Sequence, residues 1–380
     1  MEPRAFAVLC LLVEHRHRVV SKKELLDAVW KGETVTDAAL ATTLRTVRLA
    51  IGDTGRDQRF IRTVHRRGYQ FVAPTAAAQS AAGTAGAVGE GEAPAWSRDV
   101  TRFCRTADGT RIAWAVTGAG APLVRTANWL SQMDLERTVP AFAHWFEGLT
   151  RGRRLIRYDE RGYGLSDRTT GFALEEWMED LDAVVDAAGL GRFPLLGISQ
   201  GGALGVAYAA LRPERVSRLV LNAAYARGQL ARARDAAERD AAHLDLKLTL
   251  AGWHAQNHSY QRFFGAQFFA GSAPHRWDEY MSFQQRSVSA AGGARFLEEQ
   301  SRLDVSDLAG RVRCPTLIVH SRDDPRVPVS QARELAELIP DSRLVLLEGS
   351  NHLLTGDEPA WPRFLDEMYA FLAEDGPDPG

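Results

Sequence analysis

Cysteine is scarce. The chain has three, Cys10, Cys104 and Cys314, odd in number and far apart. They supply neither a disulfide framework nor a zinc cluster, and they read as small core residues in a reducing compartment. No run of about 18 uncharged apolar residues occurs, which excludes a spanning helix. A basic N-terminal stretch followed by an apolar run and a small-residue cleavage site is also lacking. No export signal is therefore expected, and a cytoplasmic location is. There is no G-x-x-x-x-G-K-[ST] phosphate loop, no H-E-x-x-H and no cluster of metal ligands, so neither a cofactor nor a metal is expected. Gly118-Ala-Gly120 is a loop, not a dinucleotide fingerprint.

What is present is ordinary globular composition, 45% hydrophobic and 25% charged, which argues against bulk disorder, collagen and coiled coil. At 380 residues, two domains are the first expectation. The net charge of −2 hides an asymmetry: residues 1–74 hold 13 Lys and Arg against 8 Asp and Glu, leaving 33 against 40 for the remainder. A basic front on an acidic body hints at a polyanion partner at one end. Between them, residues 74–95 read PTAAAQSAAGTAGAVGEGEAPA, too poor in large apolar side chains to offset the cost of ordering. The expected domains are therefore residues 1–73 and 98–375, joined by a linker over 74–97.

In the front segment, Phe6, Val8, Leu9, Leu12 and Val13 have helical spacing. Ser21-Lys-Lys-Glu24 has the form of a capping box and opens a second helix toward Trp30. A third begins near Thr36, with Leu40, Leu44, Val47 and Ile51 on one stripe and Thr42, Thr43, Arg45, Thr46 and Arg48 on the other face. FIRTV, a His65-Arg66-Arg67-Gly68 turn and YQFV then read as a hairpin. The segment VVSKKELLDAVW…TLRTVRLAIGD…FIRTVHRRGYQF closely resembles the OmpR/PhoB-type winged-helix output domain of bacterial transcription regulators. The resemblance implies that the helix from Thr36 to Ile51 enters the major groove of promoter DNA. Thr42, Thr43, Arg45, Thr46 and Arg48 are then candidate base or phosphate contacts. Arg62, Arg66 and Arg67 on the hairpin would meet phosphates or the minor groove. For Arg45 a packing or phosphate role outweighs base readout, and the bland alternative for all the arginines is a solvated face. The family usually opens with a small N-terminal sheet, whereas this chain starts almost at the first helix. The absent strands imply a late start or an abbreviated domain, and no receiver domain is recognised.

From residue 98 onward short apolar strands alternate with helices, which implies a mostly parallel sheet covered on both faces. Gly197-Ile198-Ser199-Gln200-Gly201 lies just after the strand PLLGI and before a helix, the setting a nucleophile elbow requires. Downstream, TLIVHSRDDPRVP places Asp323 and Asp324 past a strand end, and LVLLEGSNHLL places His352 past the next. The order Ser, Asp, His and the Asp159-Glu-Arg161-Gly162-Tyr-Gly164-Leu-Ser166 loop resemble the α/β-hydrolase fold family. That resemblance makes Ser199 the nucleophile, His352 the general base and then acid, and Asp324 the residue that orients it. Asp323 is the rival acid, and His320 reads as structural. The oxyanion hole needs two backbone donors: Gln200 supplies one, and Trp129 or Asn128 the other. The family's His-Gly is replaced here by Thr126-Ala127-Asn128-Trp129.

Residues 229–302 fall where this fold inserts its cap. They are rich in aromatics: Trp253, His254, Tyr260, Phe263, Phe264, Phe268, Phe269, Trp277, Tyr280 and Phe283. As a set these favour a small apolar or aromatic ester, lactone or acyl ligand. The whole chain then reads as a two-domain, one-component transcription regulator: a small winged helix followed by a capped serine-hydrolase domain that senses, or also hydrolyses, its ligand. The alternatives are a working esterase with a vestigial or protein-binding winged helix, and a sensor without turnover. A homodimer is expected, since winged helices often bind in pairs.

Overall fold

The computed structural model describes residues 8, 11–12, 15, 18–30, 37–50, 53–54, 58–64, 67–72, 100–169, 171–253 and 258–374. Residues 74–97, assigned to the linker, lie outside that set, as does most of the first helix. Contacts divide the chain into two compact units, Met1–Glu90 and Gly91–Gly380.

In the first unit, α1 (Lys22–Trp30) begins at the capping box that its spacing implies. The Glu24 amide donates to Ser21 Oγ at 3.2 Å, and the Ser21 amide to Glu24 Oε2 at 2.8 Å. α2 (Asp37–Ala50) follows, then the antiparallel hairpin of β1 (Ile61–Val64) and β2 (Gly68–Phe71). Leu40, Leu44 and Val47 turn one stripe of α2 onto Val8, Leu12, Val20, Leu25, Trp30, Ile61 and Phe71, a single core. Gly68 does more than turn the chain: at φ +142°, a Cβ there would sit 2.0 Å from the Val20 carbonyl oxygen. Only glycine allows the segment at Val20 to pair with Tyr69. Buried Asp53 accepts from four backbone amides, those of Thr54 and Arg59 on Oδ1 and of Phe60 and Ile61 on Oδ2. It thereby ties the end of α2 to the start of the hairpin.

The second unit is an eight-stranded sheet flanked by helices. Its strands are β3 (Arg102–Arg105), β4 (Arg111–Gly118), β5 (Ala121–Arg125), β6 (Arg153–Tyr158), β7 (Phe193–Ile198), β8 (Val216–Asn222), β9 (Thr316–Ser321) and β10 (Ser342–Leu347). Their spatial order is β10-β9-β8-β7-β5-β6-β4-β3, parallel except where β4 meets β6 and β3. β7 and β9 are buried along nearly their whole length because helices cover both faces. The helices are α3 (Met133–Glu136), α4 (Pro140–Leu149), α5 (Leu174–Ala187), α6 (Gln200–Leu211), then α7 (Ala236–Gly252), α8 (His258–Phe268), α9 (Pro274–Ser287) and α10 (Ala290–Arg302) between β8 and β9, and finally α11 (Ser306–Ala309), α12 (Val329–Leu338) and α13 (Ala360–Ala373). After β6 the chain crosses to the other side of β5 to form β7. That reversal opens a crevice past the carboxyl ends of β5 and β7. No helix among the described residues is long and apolar enough to cross a membrane.

Candidate active site

Ser199 follows β7 with φ +53° and ψ −123°, a backbone conformation that non-glycine residues rarely hold. Its neighbours must be small for the strand to turn so abruptly into α6. A Cβ on Gly197 would lie 2.6 Å from Gly202 Cα, and one on Gly201 would lie 2.4 Å from Thr126 Oγ1. The turn is held by the Ser199 amide on the Asn222 carbonyl and the Gly202 amide on the Ser199 carbonyl, both 2.9 Å.

His352 comes from the loop after β10. Its amide and that of Leu353 donate to the Phe268 carbonyl at the end of α8, and its ring meets the Phe268 ring edge-on at 5.2 Å. Nδ1 lies 2.7 Å from Asp324 Oδ2, and Nε2 lies 2.9 Å from Ser199 Oγ. The carboxylate fixes the proton on Nδ1, so Nε2 is the acceptor that faces the serine hydroxyl. Asp324 Oδ1 accepts from the Arg326 and Val327 amides. Burial pushes this carboxyl up, but the His352 charge and hydrogen bond and the Val327 amide outweigh it and hold it below its usual value. The structure thus brings Ser199, His352 and Asp324 together, while Asp323 is exposed. His320 is buried, bonded through Nε2 to the Val327 carbonyl at 2.8 Å, and its basicity is lowered by burial.

The loop after β5 lies across the crevice. Thr126 Oγ1 donates to the Gly201 carbonyl at 3.0 Å, which fastens this loop to the elbow. Asn128 Nδ2 donates to the Trp129 carbonyl at 3.3 Å. The Trp129 ring packs edge-on against Trp253 and Phe264. Gln200, at the head of α6, is fully buried. Beside it stands the Asp159–Ser166 loop, where Arg161 makes bonds of 2.9 and 2.7 Å to the buried Asp180. Glu160 is fully buried, and burial and Asp180 raise it well above the carboxylate range against the pull of Arg161 and Gln200.

Residues 135–359 match the family model for the alpha/beta hydrolase fold. The chain belongs to the α/β-hydrolase fold family. It is similar to a 2-hydroxy-6-oxo-2,4-heptadienoate hydrolase of Pseudomonas putida, 30% identical over 62% of this chain and 80% of that protein. It is similar also to a pyrrolizixenacetamide deacetylase of Xenorhabdus hominickii, 29% identical over 62% of this chain and 87% of that protein. Among solved structures, an esterase from Exiguobacterium antarcticum superposes with a TM-score of 0.60 at 23% identity, over 72% of this chain and all of the esterase. Residues 1–71 match the model for "Transcriptional regulatory protein, C terminal". The α/β-hydrolase fold is therefore joined in one chain to a DNA-binding regulator domain.

In this α/β-hydrolase, helices α7 to α10 stand over the crevice. Trp253, Phe264, Phe268, Phe269, Tyr280 and Phe283 are buried, packing on one another and on Trp129, Phe142 and His352, and Phe263 points to solvent. Trp277 is half-buried, while His254 and the side chain of Tyr260 lie outside the described residues. The chamber at Ser199 is tight, about 30 Å³, and it is not the all-apolar space that the aromatic count suggests. Trp129, Phe268, Leu246 and Leu297 share its wall with Arg232, Arg326, Asp245, Gln229 and Gln300. On the other side of Trp129 a second small cavity is lined by Asn128, Phe142, Tyr280, Phe283 and Leu353. Arg232 and Arg326 escape sequence reasoning because neither belongs to a motif. Their only signal is position, Arg232 just before the cap helices and Arg326 two residues past the acid.

On the winged helix, Thr42, Arg45, Arg62 and Arg67 are exposed, and Arg66 lies outside the described residues. Thr43 Oγ1 donates to the Ala39 carbonyl and Thr46 Oγ1 to the Thr42 carbonyl within α2. Arg48 departs from the DNA-contact expectation. It is half-buried, and its Nη2 donates to the Ile61 carbonyl and to Thr63 Oγ1, both at 2.9 Å. Its guanidinium is already engaged in tying α2 to β1.

Proposed function

We propose that this protein is a one-component transcription regulator whose hydrolase domain binds a small ester, lactone or related acyl compound, hydrolyses it at Ser199, and thereby alters the hold of the winged helix on promoter DNA. The observation that carries the reading is the continuous Ser199–His352–Asp324 hydrogen-bond chain, in the same polypeptide as a regulator's DNA-binding domain. His352 Nε2 takes the hydroxyl proton as Ser199 Oγ bonds to the acyl carbon, and the charged imidazole is stabilised by Asp324. The oxyanion is held by the Gln200 amide and by the amide of Trp129 or Asn128. The same proton then passes to the leaving oxygen, and a water activated by His352 releases the acid. On the DNA side, Thr42, Thr43, Arg45 and Thr46 of α2 and Arg62, Arg66 and Arg67 of the hairpin make the contacts.

The regulator's DNA-binding domain in the same chain favours sensing over a detached esterase. The triad disfavours a purely non-catalytic sensor, because Ser199 would not need its strained turn merely to line a pocket. The work of such a regulator places it in the cytoplasm, bound to its operator as a dimer. A fluorophosphonate probe tests the chemistry: wild type is labelled and Ser199→Ala is not. Labelling of both, or of neither, rejects Ser199 as the nucleophile. A gel-shift titration on the chain's own promoter tests the other half, and absence of specific retention at low salt rejects DNA regulation.

A further inference from the structure

The mouth of the Ser199 chamber carries a cation that has no direct ion-pair partner among the described residues. A bowl of about 760 Å³ lies outside the chamber, and Gln229, Arg232, Ala242 and Arg326 line both spaces, so these residues form the neck between them. Four arginines line the bowl or the neck. Arg227 is ion-paired with Glu334, Arg234 with Glu238, and Arg326 with Asp245 at 2.8 Å. Arg326 is further fixed by Gln267 at 3.0 Å and by the Phe264 and Phe268 rings beneath it. Arg232 differs. Among the described residues it has no carboxylate partner, and its hydrogen bond is a long 3.4 Å contact from Nη2 to the Arg326 carbonyl. The nearby triad acid, Asp324, is occupied by His352 and two amides. Burial and then the neighbouring Arg326 charge work against the charged form of Arg232, and outweigh the opposing pull of Tyr225, Asp324 and Asp245, none of which is in ion-pair contact with it.

A half-buried guanidinium facing a like charge is costly unless an anion completes it. Its flat fork of donors matches a carboxylate in two-point contact better than it matches any neutral group. We infer that the substrate of this site is an ester or lactone that also carries a free carboxylate, and that Arg232 at the chamber neck is the receptor for that carboxylate. The inference rests on the hydrolase reading above. It narrows the ligand from a neutral acyl compound to an acidic one, with the rest of the molecule left to the Trp129, Leu246 and Leu297 wall.

The test compares monomethyl and dimethyl esters of succinic, glutaric and adipic acids, followed by acid release in wild type, Arg232→Gln and Arg232→Lys. Each pair presents the same bond and differs by one charge. Wild type should favour the half-ester for at least one chain length by on the order of 10- to 100-fold in kcat/KM, the size expected of a charged hydrogen-bonded contact. That ratio should collapse toward one in Arg232→Gln and be partly kept in Arg232→Lys. A wild-type preference for the dimethyl ester at every length overturns the inference, as does an unchanged ratio in Arg232→Gln. If no ester is turned over, the hydrolytic reading fails for these substrates, and binding decides the matter separately. Calorimetric titration of folded Ser199→Ala should detect the half-ester and not the diester, and lose it when Arg232→Gln is added. Equal binding of both esters, binding of neither, or a half-ester signal that survives the added change rejects the carboxylate receptor.

Discussion

Replacing Asp324 with asparagine should cost far more than removing one charge, and the geometry explains why. Oδ1 of Asp324 accepts from the amides of Arg326 at 2.8 Å and Val327 at 3.0 Å. In Asp324→Asn the carbonyl oxygen must stay on those two donors, so the new amide group faces His352 Nδ1 across the present 2.7 Å contact. Two N–H groups cannot face each other, so the imidazole proton moves to Nε2. There it points at Ser199 Oγ, 2.9 Å away, and the base has become a donor. A wrong tautomer held in correct geometry lowers kcat by about ten-thousand-fold. The assay is hydrolysis of an activated ester near neutral pH, with a thermal melt alongside to show that the fold survives. Asp323→Asn, at an exposed position, serves as the comparison and should lose little. A loss below about tenfold in a folded Asp324→Asn protein, or an equal loss in Asp323→Asn, would refute the assignment of the orienting acid.

Gly201→Ala should destabilise the hydrolase unit by about 2 kcal/mol or more and suppress labelling of Ser199. The added Cβ would lie 2.4 Å from Thr126 Oγ1 and 2.6 Å from the Ala127 carbonyl oxygen, and thermal melts with probe labelling read both effects. In the winged helix, Asp53→Asn should cost about 3 kcal/mol at pH 7, because an amide cannot accept from four backbone donors at once. Those donors hold the folded Asp53 carboxyl below its ordinary value even though burial opposes them. Its contribution is thus complete above the unfolded value near 3.9 and lost as pH falls through the folded one, so the mutant penalty should shrink in acid melts. Replacing Arg62 and Arg67 with alanine should weaken DNA binding across sequences and flatten the slope of log affinity against log salt by about two, measured by anisotropy titration. Arg48→Ala should instead lower stability through loss of its bonds to Ile61 and Thr63.

The strands and the elbow were legible because their signals are local. β7 is an apolar run, β9 is centred on Leu317-Ile318-Val319, and Gly197, Ser199 and Gly201 sit at fixed spacing between a strand and a helix. The capping box at Ser21 and Glu24 was legible for the same reason. Asp324 is preferred to Asp323 in the sequence only through the family resemblance, and the turn of the loop is what sets Asp324 against His352 while leaving Asp323 exposed. The bonds of Arg48 to Ile61 and Thr63 are not legible in the sequence, because a helical wheel shows which face a residue occupies, not that β1 lies against that face. Asp53 gathers amides up to eight residues away, which no periodic pattern marks. The aromatic content of the cap is visible in the sequence, but the polar part of the chamber wall is not, because Arg232, Arg326 and Asp245 come from three separate segments.

The central claim is that the state of the Ser199 chamber sets the affinity of the winged helix for DNA. It is tested most directly by anisotropy titration of the full chain on its own promoter, before and after a fluorophosphonate has modified Ser199, with treated Ser199→Ala as control. The account predicts that modification shifts the wild-type dissociation constant at least tenfold, about 1.4 kcal/mol, and leaves Ser199→Ala unmoved. Fully modified wild type that binds DNA with unchanged affinity would contradict it.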